Sequence, residues 1–162
     1  MMKIPVKLTS KEEYTYAIVD RDDYEYLVKF KWHLHKGTYA ARQRNINDIG
    51  IDGNPCRIKM HRFVMRASKG QMIDHKNGNP LDNRKENLRF CTNSENVRNR
   101  GISKANTSGF KGVSQNRKSK KWQSMIEIDG KSNYLGTFDT KEEAYAAYVK
   151  VAKEVHGEFF HP

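Results

Sequence analysis

Hydrophobic positions come in short alternating stretches, and polar loops separate them. YAIVD (Tyr16–Asp20) predicts a strand, after which Asp22 or Asp23 can cap a helix through YEYLVKF, with Tyr26, Leu27 and Phe30 on one face. Trp32 with Leu34, and YAAR (Tyr39–Arg42), predict two strands turned at Lys36-Gly37. NINDIGIDGNP (Asn45–Pro55) predicts a loop, and RIKMHRFVM (Arg57–Met65) resumes order, as strand throughout or as strand into helix. An apolar strand end follows at Ile73, then an Asn- and Gly-rich loop, then a second short strand, LRFCT, opened by Asn87. Thr92 or Asn93 caps a helix that carries Asn96 about one turn in.

GISKANTSG (101–109) loses hydrophobic periodicity and predicts a linker. Beyond it, GFKGVSQN, KWQSMIEID and KSNYLGTFD predict three strands, turned at Lys118-Ser119-Lys120 and at Asp129-Gly130. Thr140 and Glu143 form a capping box for a helix that Gly157 ends, with Ala144, Tyr148, Val151 and Val155 as its apolar stripe.

The 162 residues allow one domain or two small ones. A mean hydropathy of −0.90 and the lack of a long apolar run exclude a membrane span, and the first residues have no secretory h-region. Cys56 and Cys91 form no CxxC pair, which excludes a disulfide scaffold and suits a reducing cytoplasm. The net charge of +11 points to a polyanion. Residues 61–107 are the most basic segment, with 10 basic against 4 acidic side chains.

That basic segment also holds the densest chemical pattern, IDHKNGNPLDNRKENLRFCTNSENVRNR (Ile73–Arg100). Asp74 offers a carboxylate oxygen and Asn96 an amide oxygen, a pair that suits Mg²⁺ or another oxygen-preferring ion. His75 is the nearby group able to accept a proton near neutral pH. Adjacent strand residues point to opposite faces, so a site using both Asp74 and His75 needs the strand end twisted or looped. Asp and Asn also serve plain turns, and the Asp-His pair taken alone would favour that simpler role. His61 could lie near the site, though a structural hydrogen bond is the better expectation; Cys91 is expected to pack as a small hydrophobe, and His33, His35, His156 and His161 to be structural or exposed.

With Asn87 and Asn96 in place, the stretch resembles the HNH nuclease motif of phage- and intron-borne homing endonucleases, over roughly residues 60–100. HRFVM before the motif and the ENVRNR helix after it match as well. The resemblance implies a ββα-metal fold in which His75 is the general base and Asp74 and Asn96 hold one ion. Asn87 would brace the hairpin and orient His75. Asn96 stands where many members have His, which favours Mg²⁺ or Mn²⁺ over zinc. Arg84, Lys85, Arg89, Arg98 and Arg100 would hold flanking phosphates.

In KWQSMIEID, Trp122, Ser124, Ile126 and Ile128 share one face, and Gln123, Met125 and Glu127 the other. Residues 108–131 carry 6 basic and 2 acidic side chains, whereas 132–162 carry 3 and 5, so the sheet is the basic side. GFKGVSQN, Lys121-Trp122, YLGTFDT and EEAYAAY resemble the Apetala-type DNA-binding domain of plant ethylene-response factors, whose sheet docks in the major groove. The resemblance makes Lys111, Ser114, Asn116, Gln123, Met125, Glu127, Tyr134 and Thr137 base-facing candidates. Arg117, Lys118, Lys120 and Lys121 would meet phosphates. Ser114, Asn116 and Glu127 depart from the arginines of the plant domains, so base preference does not transfer.

The expected molecule is an α+β endonuclease acting on double-stranded DNA, with no membrane partner. Residues 1–56 extend the nuclease domain, 57–100 form its catalytic motif, 101–109 the linker and 110–162 the DNA-binding domain. It is expected to work as a monomer, or as two chains on one target, in the cytoplasm of a bacterial host, phage-infected or not. The competing readings are a DNA-binding regulator with a degenerate HNH module and a structural RNA-binding protein.

Overall fold

The computed structural model describes residues 1–8, 12–46, 48, 56–99, 102, 105–128 and 130–160. They divide into two compact units, Met1–Thr92 and Asn93–Pro162.

In the first unit, β1 (Met2–Lys7) pairs antiparallel with β2 (Tyr14–Val19) and parallel with β3 (Trp32–His35). β4 (Tyr39–Gln43) and β5 (Arg57–Lys59) extend the sheet in the order β2-β1-β3-β4-β5. The β3–β4 turn puts Lys36 and Gly37 at φ 51° and 68°, the left-handed pair that a tight hairpin requires. The N-cap position of the first helix, α1 (Arg21–Leu27), is Asp20, earlier than the expected Asp22 or Asp23, which lie in its first turn instead. Trp32 Nε1 donates to Leu27 O at 2.9 Å, which satisfies one open carbonyl at the end of α1.

RIKMHRFVM is strand into helix: β5 runs directly into α2 (Met60–Val64). A two-stranded antiparallel pair follows, β6 (Met72–His75) with β7 (Leu88–Cys91), and a single 3₁₀ turn (Lys85–Asn87) leads into β7. Asn87 therefore ends that turn, and the strand opens at Leu88. Ile4, Val6, Ala17, Val19, Leu27, Trp32, Met60, Val64 and Leu88 share one core. Leu88 thereby ties the β6–β7 pair to the N-terminal sheet.

In the second unit, α3 (Asn93–Asn99) precedes a three-stranded antiparallel sheet ordered β10-β9-β8, from β8 (Val113–Gln115), β9 (Trp122–Ile128) and β10 (Lys131–Phe138). Helix α4 (Lys141–His156) packs on it, and both bonds of the Thr140–Glu143 capping box are made. The fully buried stripe of α4 is Ala144, Tyr148, Ala152 and His156; of the two expected valines, Val151 is half-buried against the same core and Val155 is exposed. Strong apolarity at the two valines outweighs Ala and His in a pattern, but contact with Ile126 selects the face one residue on. Gly112 lies under this helix: a Cβ there would stand 2.3 Å from Tyr148 Cδ2. The described part of the expected linker is a closed turn, since Asn106 Nδ2 and Ser108 Oγ both donate to Phe110 O.

Candidate active site

Asp74 and His75 end β6, and both are buried, at 5% and 7% exposure. Antiparallel register sets Asp74 opposite Arg89 and His75 opposite Leu88. Alternation along the strand then gives the two side chains different surroundings. Arg89 Nε and Nη2 donate to Asp74 Oδ2 at 2.9 and 2.7 Å. Arg89 was expected to hold a flanking phosphate; here it is buried and paired with Asp74, because the hairpin register places the two opposite each other.

His75 meets a different set. Its ring lies 5.1 Å from that of His61, edge to face, and 6.2 Å from Tyr39. Tyr39 in turn packs on the His61 ring at 5.1 Å. His61 thus stands beside His75, beyond the structural role expected of it. The residues that carry it there are α2 and the sequence HRFVM, which the motif's surroundings already matched. Burial holds the His61 imidazole well below its usual 6.5, and the positive charges of His75, Lys59 and Arg62 add to this. Burial also lowers His75, against an opposing hydrogen bond from Asn83 and the negative charges of Asp74 and Asp82.

Asparagine side chains cross-brace the loop between β6 and β7. Asn87 Oδ1 accepts from Asn77 N–H at 3.0 Å, and Asn87 Nδ2 donates to Asn77 Oδ1 at 3.0 Å and to Asp82 O at 2.8 Å. Asn77 Nδ2 reaches Asp82 Oδ2 at 2.9 Å, and Asn79 Oδ1 accepts from Leu81 N–H at 3.0 Å. Asn83, 1% exposed, donates from Nδ2 to Leu81 O, which turns its Oδ1 towards His75 Nε2 at 3.5 Å. The loop also docks on β2: Ile18 N–H donates to Leu81 O at 2.8 Å, and Asn83 N–H to Ile18 O at 2.7 Å. Turn chemistry and site chemistry therefore use the same letters.

Arg84 pairs with Asp82 and Glu86, and Lys85 with Asp23 at 2.9 Å, the lysine staying half-exposed. Asp82 is buried and takes Arg84 Nε and Nη2 at 2.9 and 2.7 Å; only the pairs to Glu86 and Asp23 are of the more exposed kind that contributes little. Asn96 lies on α3, half-buried, in the second unit. The Arg98 side chain and Arg100 fall outside the described residues, as does His161.

On the sheet of the second unit, Ser124 and Ile126 are buried while Met125 and Glu127 are exposed, so the face away from α4 is open. Cross-strand register aligns Ser114, Gln123 and Thr137 in one row and Met125 with Tyr134 in another. Asn116, expected to face bases, instead accepts from Lys118 and Ser119 N–H through Oδ1 and closes the 116–120 turn. Arg117, Lys118 and Lys120 project from that turn, exposed; Lys121 pairs with Asp139 at 3.0 Å. Lys111 is half-buried, and burial lowers its amine.

Asp74 and Asn96 have the oxygen donors that a hard divalent ion takes, while the cationic partner that a carboxylate as buried as Asp74 requires is supplied here by Arg89. Among the described residues, no three His, Cys, Asp or Glu side chains gather as a metal-binding set. Few protein ligands suit an ion that keeps water and phosphate oxygens.

A family model for HNH endonuclease matches residues 59–98. The chain is 36% identical to Protein 3.8 of Escherichia phage T7 over 91 residues, covering 56% of this chain and 74% of that protein. It is 27% identical to a protein of Acanthamoeba polyphaga mimivirus named as an uncharacterized HNH endonuclease, covering 91% of this chain and 74% of that one. No solved structure matches significantly. Residues 59–98 coincide with the buried pair Asp74-His75 and the loop braced by Asn87, and on these grounds this stretch is an HNH endonuclease domain.

Proposed function

We propose that the protein is a metal-dependent DNA endonuclease of the homing type, hydrolysing phosphodiester bonds with His75 as general base. The observation that carries this reading is the buried His75, whose Nε2 lies 3.5 Å from Asn83 Oδ1. Asn83 Nδ2 is committed to Leu81 O, so the group presented to His75 Nε2 is an acceptor. Nε2 would then carry the ring proton, and Nδ1 would be the atom that accepts a proton from the attacking water. Burial lowers the His75 pKa, which favours the form able to accept that proton.

Asp74 and Asn96 would hold one Mg²⁺ or Mn²⁺, which when bound stabilises charge on the phosphate and the leaving 3′ oxygen. Asn87 keeps the loop, and with it Asn83, in position. Arg84, Lys85, Arg98 and Arg100 are proposed to contact flanking phosphates. The open face of the second unit is proposed as an Apetala-type DNA reader. Its rows of Ser114, Gln123 and Thr137 and of Met125 and Tyr134 would face bases, with Lys111 beside them. The basic turn from Arg117 to Lys121 would face phosphates.

Supercoiled DNA containing the host locus tests this, with Mg²⁺, with EDTA, and with His75→Ala. Metal-dependent cutting lost in the variant is expected, and nicked or linear product reports whether one strand or both are cut. DNA that is bound but never cut, under several divalent ions, would replace the nuclease with a regulator.

A further inference from the structure

Arg89 and Asp74 face each other across the β6–β7 pair, with side chains only 8% and 6% exposed. Nε and Nη2 donate to a single oxygen, Oδ2, at 2.9 and 2.7 Å. A carboxylate oxygen has two in-plane lone pairs, so these bonds fill the capacity of Oδ2. An inner-sphere divalent ion needs an oxygen at roughly 2.0–2.1 Å for Mg²⁺, and it would bring its own charge against the guanidinium. At this burial that repulsion is weakly screened. Yet the carboxylate cannot stand alone, because a buried charge without a partner is strongly destabilising.

We propose that Arg89 is the internal counter-ion of Asp74: it holds the carboxylate in metal-free protein and competes with the divalent ion for Oδ2. Arg89 is then a positioning residue that sets metal affinity, and loading exchanges guanidinium for metal at that oxygen. This rests on Asp74 being a metal ligand, and the test separates the two ideas.

The full chain, without DNA, is titrated with Mn²⁺ alone, and bound ion is read by electron paramagnetic resonance and by thermal unfolding. Arg89→Met should bind Mn²⁺ about tenfold tighter than wild type, as loss of one charge-assisted competitor implies. Its melting temperature should lie below wild type in EDTA and recover with Mn²⁺ more than wild type does. Arg89→Lys keeps the charge but loses the paired donors and should bind with intermediate affinity; it decides the matter if Arg89→Met does not fold. Asp74→Asn should abolish the site. If Asp74→Asn abolishes binding but the Arg89 variants bind as weakly as wild type or more weakly, Arg89 does not compete, and the proposal fails while the metal ligand stands. If Asp74→Asn binds Mn²⁺ like wild type, the assignment of Asp74 fails, and the proposal with it.

Discussion

Asn83 spends Nδ2 on Leu81 O and turns Oδ1 to His75, so its amide favours a proton on Nε2 of the proposed base. Asn83→Leu removes that acceptor at similar volume. Cleavage should fall about 10²-fold or more, the order expected when a general base loses its correct protonation, with DNA affinity unchanged. Steady-state cleavage and a binding titration on the same substrate check this; equal losses in both would make Asn83 merely structural. His61 carries a stability prediction. Its folded imidazole is held well below the unfolded value of 6.5, so below that pH the unfolded chain binds more protons. Stability should therefore be fully present above 6.5 and fall as pH drops through and below it, by up to about 1.4 kcal/mol per pH unit for this one group. His61→Phe should flatten that slope in urea unfolding between about pH 5 and pH 8. Asp74, His75, Asn87 and Asn96 stood out in the sequence as candidates because chemistry-bearing letters stood at fixed spacing. Asn83 did not, and His61 stayed open between two roles, because nothing local distinguishes a second loop Asn or an upstream His until the chain folds back. Arg89 opposite Asp74 could have been read by counting pairs back from the hairpin loop.

Turns and caps depend on a few adjacent residues, and at that scale the sequence read well. Lys36-Gly37 turns a hairpin, and Thr140 with Glu143 caps α4 as expected. Where an element's end answers a distant partner, the reading slips. Asp20, at the cap of α1, turns its carboxylate to the N–H of Lys85, a contact across 65 residues. The stripe of α4 slips for the same reason, since its face is chosen by the sheet beneath it. Gly112 is the tightest point of that packing. Its φ is 73°, and an added Cβ would meet Tyr148 at 2.3 Å and Met125 O at 2.6 Å. Gly112→Ala should cost about 2 kcal/mol or more, from overpacking and a left-handed backbone together. The expected signature is a lower urea midpoint; an unchanged midpoint would mean α4 can lift from β8 and β9 without cost.

For the whole molecule, residues 1–56 are the least legible part, because their work is done at long range. β1 to β4 build the core into which Leu88 packs, and Ile18 receives the β6–β7 loop on both its N–H and its carbonyl. Charge, by contrast, was legible at once, and it gives the last prediction. If the 116–121 turn meets phosphates, its cations displace condensed counter-ions, and binding weakens with salt at a log–log slope of about −0.9 per neutralised phosphate. Arg117, Lys118 and Lys120 are exposed, whereas Lys121 already has Asp139. Replacing those three with Ala should reduce the slope by about 2–3 and weaken specific and random DNA alike. Tyr134→Ala and Met125→Ala lie on the open face away from the turn, so they should leave the slope unchanged and narrow the difference between target and random DNA. Fluorescence anisotropy over a salt series separates the two effects. A slope insensitive to the triple variant would remove the turn from the DNA contact, and with it the charge argument for this face.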